Sequence, residues 1–486
     1  MDSWLSGATG AGLLGALELV LVAIALVVAP RNRRPSSALA WILLIALLPL
    51  VGMLLFALIG SPKLPAHRRE QQRRMDEQIS EAARDVQDVI GTQDAPDWLP
   101  AVARLNQTVG ALPLLGGNDV DLLGDFDDQL QALVDAVDHA TRYVHVEFYI
   151  LTYDQATEPF FAALGAAVQR GVDVRVLLDH LGSRSYPGFR RATSQLTRLG
   201  VDWRLMLPVQ PFRGRYQRPD LRNHRKLLVA DGETGFVGSL NLIHPSYDKR
   251  ANRRRGLAWK DLLARVQGPV VHEIDAVFVT DWQAETGDLL PGPREEVRGR
   301  RRTGLLAQVA PSGPAFETEN NLALFNSLIY YARRRISITS PYFVPDESLL
   351  NAITTAARRG VAVELFVSAI GDQFFVFHSQ HSYYAELLRA GVRIYLYPAP
   401  SILHAKHLSV DDEVAVVGSS NMDIRSFQLD LELMLMVCGR PFVDQLRAIE
   451  DGYRAVSLQL TLHEWARSSR GHRFVDNLTR LTSAVQ

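Results

Sequence analysis

Two stretches of the chain carry the same chemistry: HRKLLVADGETGFVGSLNL from residue 224 and HAKHLSVDDEVAVVGSSNM from residue 404. In each, a His is followed two residues later by a Lys and five residues after that by an Asp, and a Gly-Ser-x-Asn closes the run. The surrounding residues are apolar and β-prone, which predicts a strand, and residues i and i+2 of a strand share a face. His224 and Lys226 therefore aim at one spot, as do His404 and Lys406. Facing one another, two imidazoles and two ammonium groups suit transfer at a phosphodiester. One neutral imidazole attacks phosphorus, the other, protonated, donates to the leaving oxygen, and the roles then exchange. The lysines, with Ser239, Asn241, Ser419 and Asn421, can stabilise charge on the phosphoryl oxygens and bind substrate. Asp231 and Asp411 complete the candidate catalytic set, although their place at the strand end suits holding a backbone turn better than touching substrate.

The lysine count sharpens this reading. Five lysines occur among 52 Lys and Arg residues, and two of the five stand in the motifs. Where this chain wants generic positive charge it uses Arg, so the compact ammonium groups mark a requirement for point charges. No carboxylate-rich or His/Cys set with metal spacing is found in the sequence, and the expectation is chemistry with no metal and no cofactor. Cys438 is the single cysteine, which excludes an internal disulfide framework. A net charge of -1 gives no global reason to expect a nucleic-acid partner.

The elements that must position these residues occur twice. Residues 141–150 (TRYVHVEFYI) read as a strand, 157–171 as a helix closed by Gly171, and 172–179 as a second strand. The order returns at 334–343, 348–360 and 361–368. A further helix ends at LTRLG before VDWRLML, and its counterpart ends at LLRAG before VRIYLYP. Strand, helix, strand with short connections predicts an α/β fold: two related halves with mainly parallel sheets and flanking helices. Packing about a pseudo-twofold axis would bring all four motif side chains into one cleft. At 486 residues the chain is long enough for two such halves.

Ahead of them, residues 8–29 are apolar except for Glu18, and residues 36–60 carry no charge. Both are long enough to cross about 30 Å of hydrocarbon, so a transmembrane helical hairpin is expected. Asp2 stands where a signal peptide would be basic. Pro49 and Gly52 predict a kink in the second span, and Glu18 would be costly there if charged. Arg31, Arg33 and Arg34 lie in the connecting loop, against Lys63, Arg68, Arg69, Arg73 and Arg74 after it, which favours a cytoplasmic main body.

At the duplicated H-x-K-x4-D and G-S-x-N the sequence resembles the phospholipase D superfamily, and within it the bacterial cardiolipin synthases. The likeness runs through RPSSALAWILLIALLPLVGMLLFALIG, VEFYI, WKDLLARVQGP, DWQAETG, SPYFVPDESLL and SSNMDIRSFQLDLEL to NLTRLTSAVQ. It implies a hairpin over 1–62, a connector over 63–110, and phospholipase D-like halves over 111–310 and 311–486. It also implies a membrane enzyme of the bacterial inner membrane that joins two phosphatidylglycerol molecules into cardiolipin and glycerol through a phosphohistidine. By the same resemblance His224 is the nucleophile, His404 the acid and base, and Asp261 and Glu432 orient the imidazoles. IHPSYDK departs from the family after Asn241, whereas Asp423 and Arg425 are kept in the second half. GRYQRPDLRNHRK and DKRANRRRG place Arg beside the first motif, where it could meet anionic membrane lipids. A phospholipase D-type hydrolase or a phosphatidylserine synthase would share the catalytic residues; a nuclease would too, but has no reason for a membrane hairpin.

Overall fold

The computed structural model describes residues 16–82, 95–290 and 304–481, apart from positions 17, 32, 34, 62, 214 and 468. Asp2, the start of the first apolar stretch, Arg34, residues 83–92 of the connector and the last residues of NLTRLTSAVQ lie outside them. The chain divides into two compact units, Met1–Leu64 and Pro65–Gln486.

In the first unit, the stretch expected to be one kinked span is two helices, Pro35–Leu47 and Pro49–Ile59. Pro49 disfavours helical backbone at the preceding residue, and Leu48 sits at φ -137°. Beyond the break the helices lie close: a Cβ on Gly52 would come within 2.8 Å of the Ile45 Cα. Trp41 and Phe56 meet edge to face across the bend, with centroids 5.4 Å apart. Among the described residues, no helix is long and apolar enough to cross a membrane.

The second unit holds both repeats on one 16-stranded sheet. In the first half the strands lie in the order Asp202–Met206, Asp173–Asp179, Tyr143–Phe148, Lys226–Ala230, Thr234–Gly238, Leu263–Gln267 and Leu115–Leu123. In the second the same order runs Arg393–Tyr397, Ala362–Ser368, Arg335–Thr339, His407–Val410, Val414–Gly418, Asp430–Cys438 and Leu305–Ser312. The two end strands, Leu115–Leu123 and Leu305–Ser312, pair antiparallel and fuse the halves. Each half buries its own apolar cluster: Val144, Val146, Phe160, Leu164 and Leu228 in the first, Ile336, Ile338, Leu349, Ile353 and Leu408 in the second.

The sheet is mixed, which corrects the expectation of mainly parallel sheets. Along the main strand order, parallel pairing is confined to the three strands of each half that are joined by helical crossovers. The strands that carry the motifs are joined by tight turns, which force antiparallel neighbours.

Candidate active site

Each motif His lies just outside a strand rather than within one. His224 and Arg225 separate Arg222–Asn223 from Lys226–Ala230, and residues 404–406 separate Ser401–Leu403 from His407–Val410. The short strands before the histidines cross to the other half. Arg222–Asn223 pairs in parallel with the start of Asp430–Cys438, and Ser401–Leu403 pairs in parallel with Ala258–Lys260. The His224 amide then donates to the Leu431 carbonyl and the His404 amide to that of Lys260, each at 2.8 Å.

These crossings seat each imidazole against a carboxylate of the opposite half. His224 Nδ1 lies 3.0 and 3.1 Å from the two Glu432 oxygens, and His404 Nδ1 lies 2.6 Å from Asp261 Oδ1. Ser239 Oγ donates to Asp261 and Ser419 Oγ to Glu432, at 2.7 and 2.5 Å, and each hydroxyl also accepts a backbone N–H from Leu262 or Leu433. The serines of G-S-x-N are thereby committed to the carboxylates. Gly238 and Gly418 permit this approach, because a Cβ on either would lie 2.3 or 2.2 Å from the carbonyl oxygen of Leu262 or Leu433. Lys226 Nζ and Lys406 Nζ donate to the carbonyl of their own motif His, at 2.5 and 2.6 Å.

Asn241 spans between the Ile150 N–H, at 3.2 Å, and the Tyr247 hydroxyl, to which it donates at 2.8 Å. Asn421 is buried and its Oδ1 has no hydrogen-bond partner among the described residues. The structure places Asp231 and Asp411 apart from the imidazoles. The Asp231 carboxylate accepts the N–H groups of Thr141, Arg142 and Tyr143, each at 2.8 Å. Asp411 does the same for Arg333, Arg334 and Arg335 at 2.7 to 2.9 Å. Both residues adopt positive φ, 56° and 50°, at the turn they hold.

Burial dominates the electrostatics. It lowers the His224 imidazole to about 4, with Lys226 and Lys406 acting in the same direction against Glu432. Burial and Lys406 also lower His404, against Asp261. Burial alone would raise the two carboxyls, but the facing imidazoles, lysines and serines hold Asp261 and Glu432 below the ordinary range. Each pair therefore rests as neutral imidazole and ionised carboxylate, which makes Nδ1 the donor and leaves the Nε2 lone pair free. Burial brings Lys226 down to about 8 and Lys406 to about 7, with Lys226 adding like-charge repulsion to the latter. Two histidines and two lysines that feel one another's charge share a single cleft.

Sequence reasoning missed the aromatic walls. The Tyr149 ring lies edge-on 4.7 Å from the His224 ring, and Lys226 Nζ is 5.2 Å from the Tyr149 centroid. Tyr247 stands 6.2 Å from the His404 ring, at φ 55°. Its signal was the departure at IHPSYDK, the segment that supplies this tyrosine. Asp430, two residues before Glu432 on the same strand, is buried, and its carboxyl rises to about 8 against the pull of Arg425.

The chain matches the family described as "Cardiolipin synthase, PLD-like domain" over residues 133–282 and 325–451, and "Phospholipase_D-nuclease N-terminal" over residues 19–61. It is 32% identical over 470 residues to cardiolipin synthase A of Pectobacterium carotovorum subsp. carotovorum (strain PC1), covering 95% of both chains. The chain belongs to the cardiolipin synthases of the phospholipase D superfamily. A second relative in that family, cardiolipin synthase A of Yersinia pseudotuberculosis serotype IB (strain PB1/+), is 33% identical over 469 residues and 95% of both chains. The fold is also that of the phosphatidylserine synthase of Haemophilus influenzae Rd KW20, with a TM-score of 0.59 at 16% identity over 79% of this chain and all of that one.

Against the expectation that this cardiolipin synthase family member would hold no metal-like cluster, the fold gathers one that sequence spacing hides. Ligand atoms of His378, His381 and Asp476 lie within 4.8 Å of one another, on the helices Phe374–Ala390 and Arg470–Arg480. His378 Nδ1 and Asp476 Oδ1, 98 residues apart in sequence, are 2.7 Å apart and tie the two helices together. These helices carry none of the four motif side chains.

Proposed function

We propose that this chain is a phosphatidyltransferase that makes cardiolipin from two phosphatidylglycerol molecules. His224 Nε2 attacks the phosphorus of the first, the bond from phosphorus to the headgroup glycerol oxygen breaks, and His404 Nε2–H protonates that oxygen as glycerol leaves. The arriving phosphodiester anion opposes the burial that keeps His404 neutral and so favours the protonated form needed for this step. His404, neutral again, then takes the proton of the terminal hydroxyl of the second phosphatidylglycerol. That oxygen attacks phosphorus, the bond to His224 breaks, and cardiolipin is released. Lys226 and Lys406 stabilise the phosphoryl oxygens as charge develops.

The observation that carries this reading is the crossed pairing of each imidazole with the other half's carboxylate, because it holds each ring through Nδ1 and leaves both Nε2 atoms for chemistry in a buried site. The first unit is read as the membrane hairpin with the main body on the cytoplasmic side. Its apolar side chains turn outward, Leu47 being 77% and Leu50 64% exposed, as suits a lipid surrounding. Supplying the purified enzyme with phosphatidylglycerol as the sole lipid is expected to yield cardiolipin and free glycerol in equal amounts. Phosphatidic acid as the main product would replace the transferase with a hydrolase.

A further inference from the structure

A groove of about 760 Å³ opens between the helix His180–Arg184, the start of the helix Phe189–Arg198, the strand Asp202–Met206 and the hairpin of Val209–Gln210 with Arg215–Tyr216. Six arginines reach it, Arg184, Arg190, Arg191, Arg204, Arg213 and Arg215, and no acidic side chain lines it. Arg204 is held by Asp202. The other five guanidinium groups have no hydrogen bond, ion pair or ring contact among the described residues. Arginines that lie beside carboxylates elsewhere in the chain are paired with them, as in Arg222 with Asp179, Arg225 with Asp281, and Arg335 and Arg454 with Glu364. Like charges gathered without partners repel one another, and an anion relieves that repulsion. Guanidinium forks match phosphate in particular.

Two further features select the kind of phosphate. At the tip of the hairpin Phe212 is fully exposed, next to Arg213, and Tyr216 on the returning arm is 45% exposed. An apolar tip beside cations is the pattern of a segment seated at a lipid interface, where rings enter the acyl boundary and arginines meet headgroups. The groove also adjoins the catalytic cleft. Tyr186 in its wall lies 5.4 Å from Tyr247, the ring beside His404. His180 accepts the Val209 N–H at the base of the hairpin and follows Asp179, whose carboxylate holds the amide of Asn223 next to His224.

We propose that this groove and the Phe212 tip form a second lipid site, separate from the four motif side chains, which binds the headgroup phosphate of an anionic phospholipid in the bilayer and docks the hairpin against it. The proposal rests on the reading of the enzyme as acting on phospholipid, and binding is measured apart from turnover so that the two can fail separately. The full chain in neutral-detergent micelles is titrated with phosphatidylglycerol or phosphatidylcholine. Retention of labelled lipid is followed in the His224→Ala background, and the rate in the otherwise unaltered enzyme. Replacing Arg190, Arg191, Arg213 and Arg215 together by Gln is expected to raise the half-saturating fraction of phosphatidylglycerol about tenfold or more, with turnover at saturation kept. Phe212→Ser is expected to weaken retention in the same direction. Unchanged retention in the arginine variant overturns the proposal. Displacement of the lipid by inorganic phosphate or a short oligonucleotide at matching concentration also overturns it, because the groove would then be a general anion site.

Discussion

At the residue scale, the two histidines are set apart by which half supplies the carboxylate behind each. Glu432 fixes the tautomer of His224 and Asp261 that of His404, so the two carboxylates act through different imidazoles. Glu432→Gln is expected to lower formation of the phosphatidyl-enzyme by about 10²- to 10⁴-fold, since an amide can present the wrong partner to Nδ1. Asp261→Asn is expected to slow turnover while still allowing lipid to be trapped on His224 when the leaving group needs little protonation. Mapping the labelled peptide in each variant checks both, and label on His404 in the His224→Ala protein would reverse the assignment of nucleophile. The lysines are expected to set the alkaline side of the pH profile. Lys406 and Lys226 are lowered to about 7 and about 8, so their charge is full below that window and lost as pH rises through it. Turnover per unit substrate, kcat/KM, should therefore fall across about pH 7 to 8. Lys406→Arg should move that limb upward even where the maximum drops, because a guanidinium keeps its proton. An alkaline limb that does not move in this variant would detach it from Lys406.

At the element scale, the motif is as much a device for strand joining as for catalysis. The Gly before each serine lets two antiparallel strands close to the point where the serine hydroxyl meets the carboxylate. Gly238→Ala is expected to cost about 1–3 kcal/mol of stability by overpacking against Leu262, read as a lowered Tm, together with loss of activity as Asp261 shifts. The Asp of each motif belongs to a different task, holding three consecutive amides at the start of a neighbouring strand. Asp231→Asn should accordingly destabilise by about 1–3 kcal/mol while the protein that remains folded keeps its kcat. A kcat loss of two powers of ten at unchanged Tm would make Asp231 part of the chemistry instead.

For the whole molecule, one sheet runs through both halves, and the short cross-half ladders at Arg222–Asn223 and Ala258–Lys260 make each half complete the other's site. Energetic coupling should therefore cross the duplication. Adding Glu432→Gln to His224→Ala is expected to slow the enzyme no further than His224→Ala alone, because the carboxylate acts through that imidazole. Additive losses in this cycle would mean that Glu432 touches substrate directly. Turnover is also expected to survive a chelator once effects on lipid packing are controlled, since the two-histidine chemistry assigns no step to a metal. Complete loss restored by one stoichiometric divalent ion would overturn it.

The sequence alone carried the proposed chemistry and the duplication, because both lie in local spacing: a His and Lys two apart, a Gly-Ser-x-Asn soon after, and a repeated strand–helix–strand order that no tertiary contact is needed to read. The break at Pro49 was legible for the same reason, since proline acts on its immediate neighbours. Which carboxylate serves which histidine was not, because Glu432 and His224 are 208 residues apart, and only the crossing of strands between halves brings them within hydrogen-bond reach. Strand direction was misread around the motifs because helical crossovers announce parallel neighbours, whereas the direction of the hairpins depends on turns such as Asp231–Gly232. The His378–Asp476 contact stayed hidden for a related reason, its members being 98 residues apart, and the arginine groove did because its arginines, though all within residues 184–215, stand on separate elements that only packing brings together.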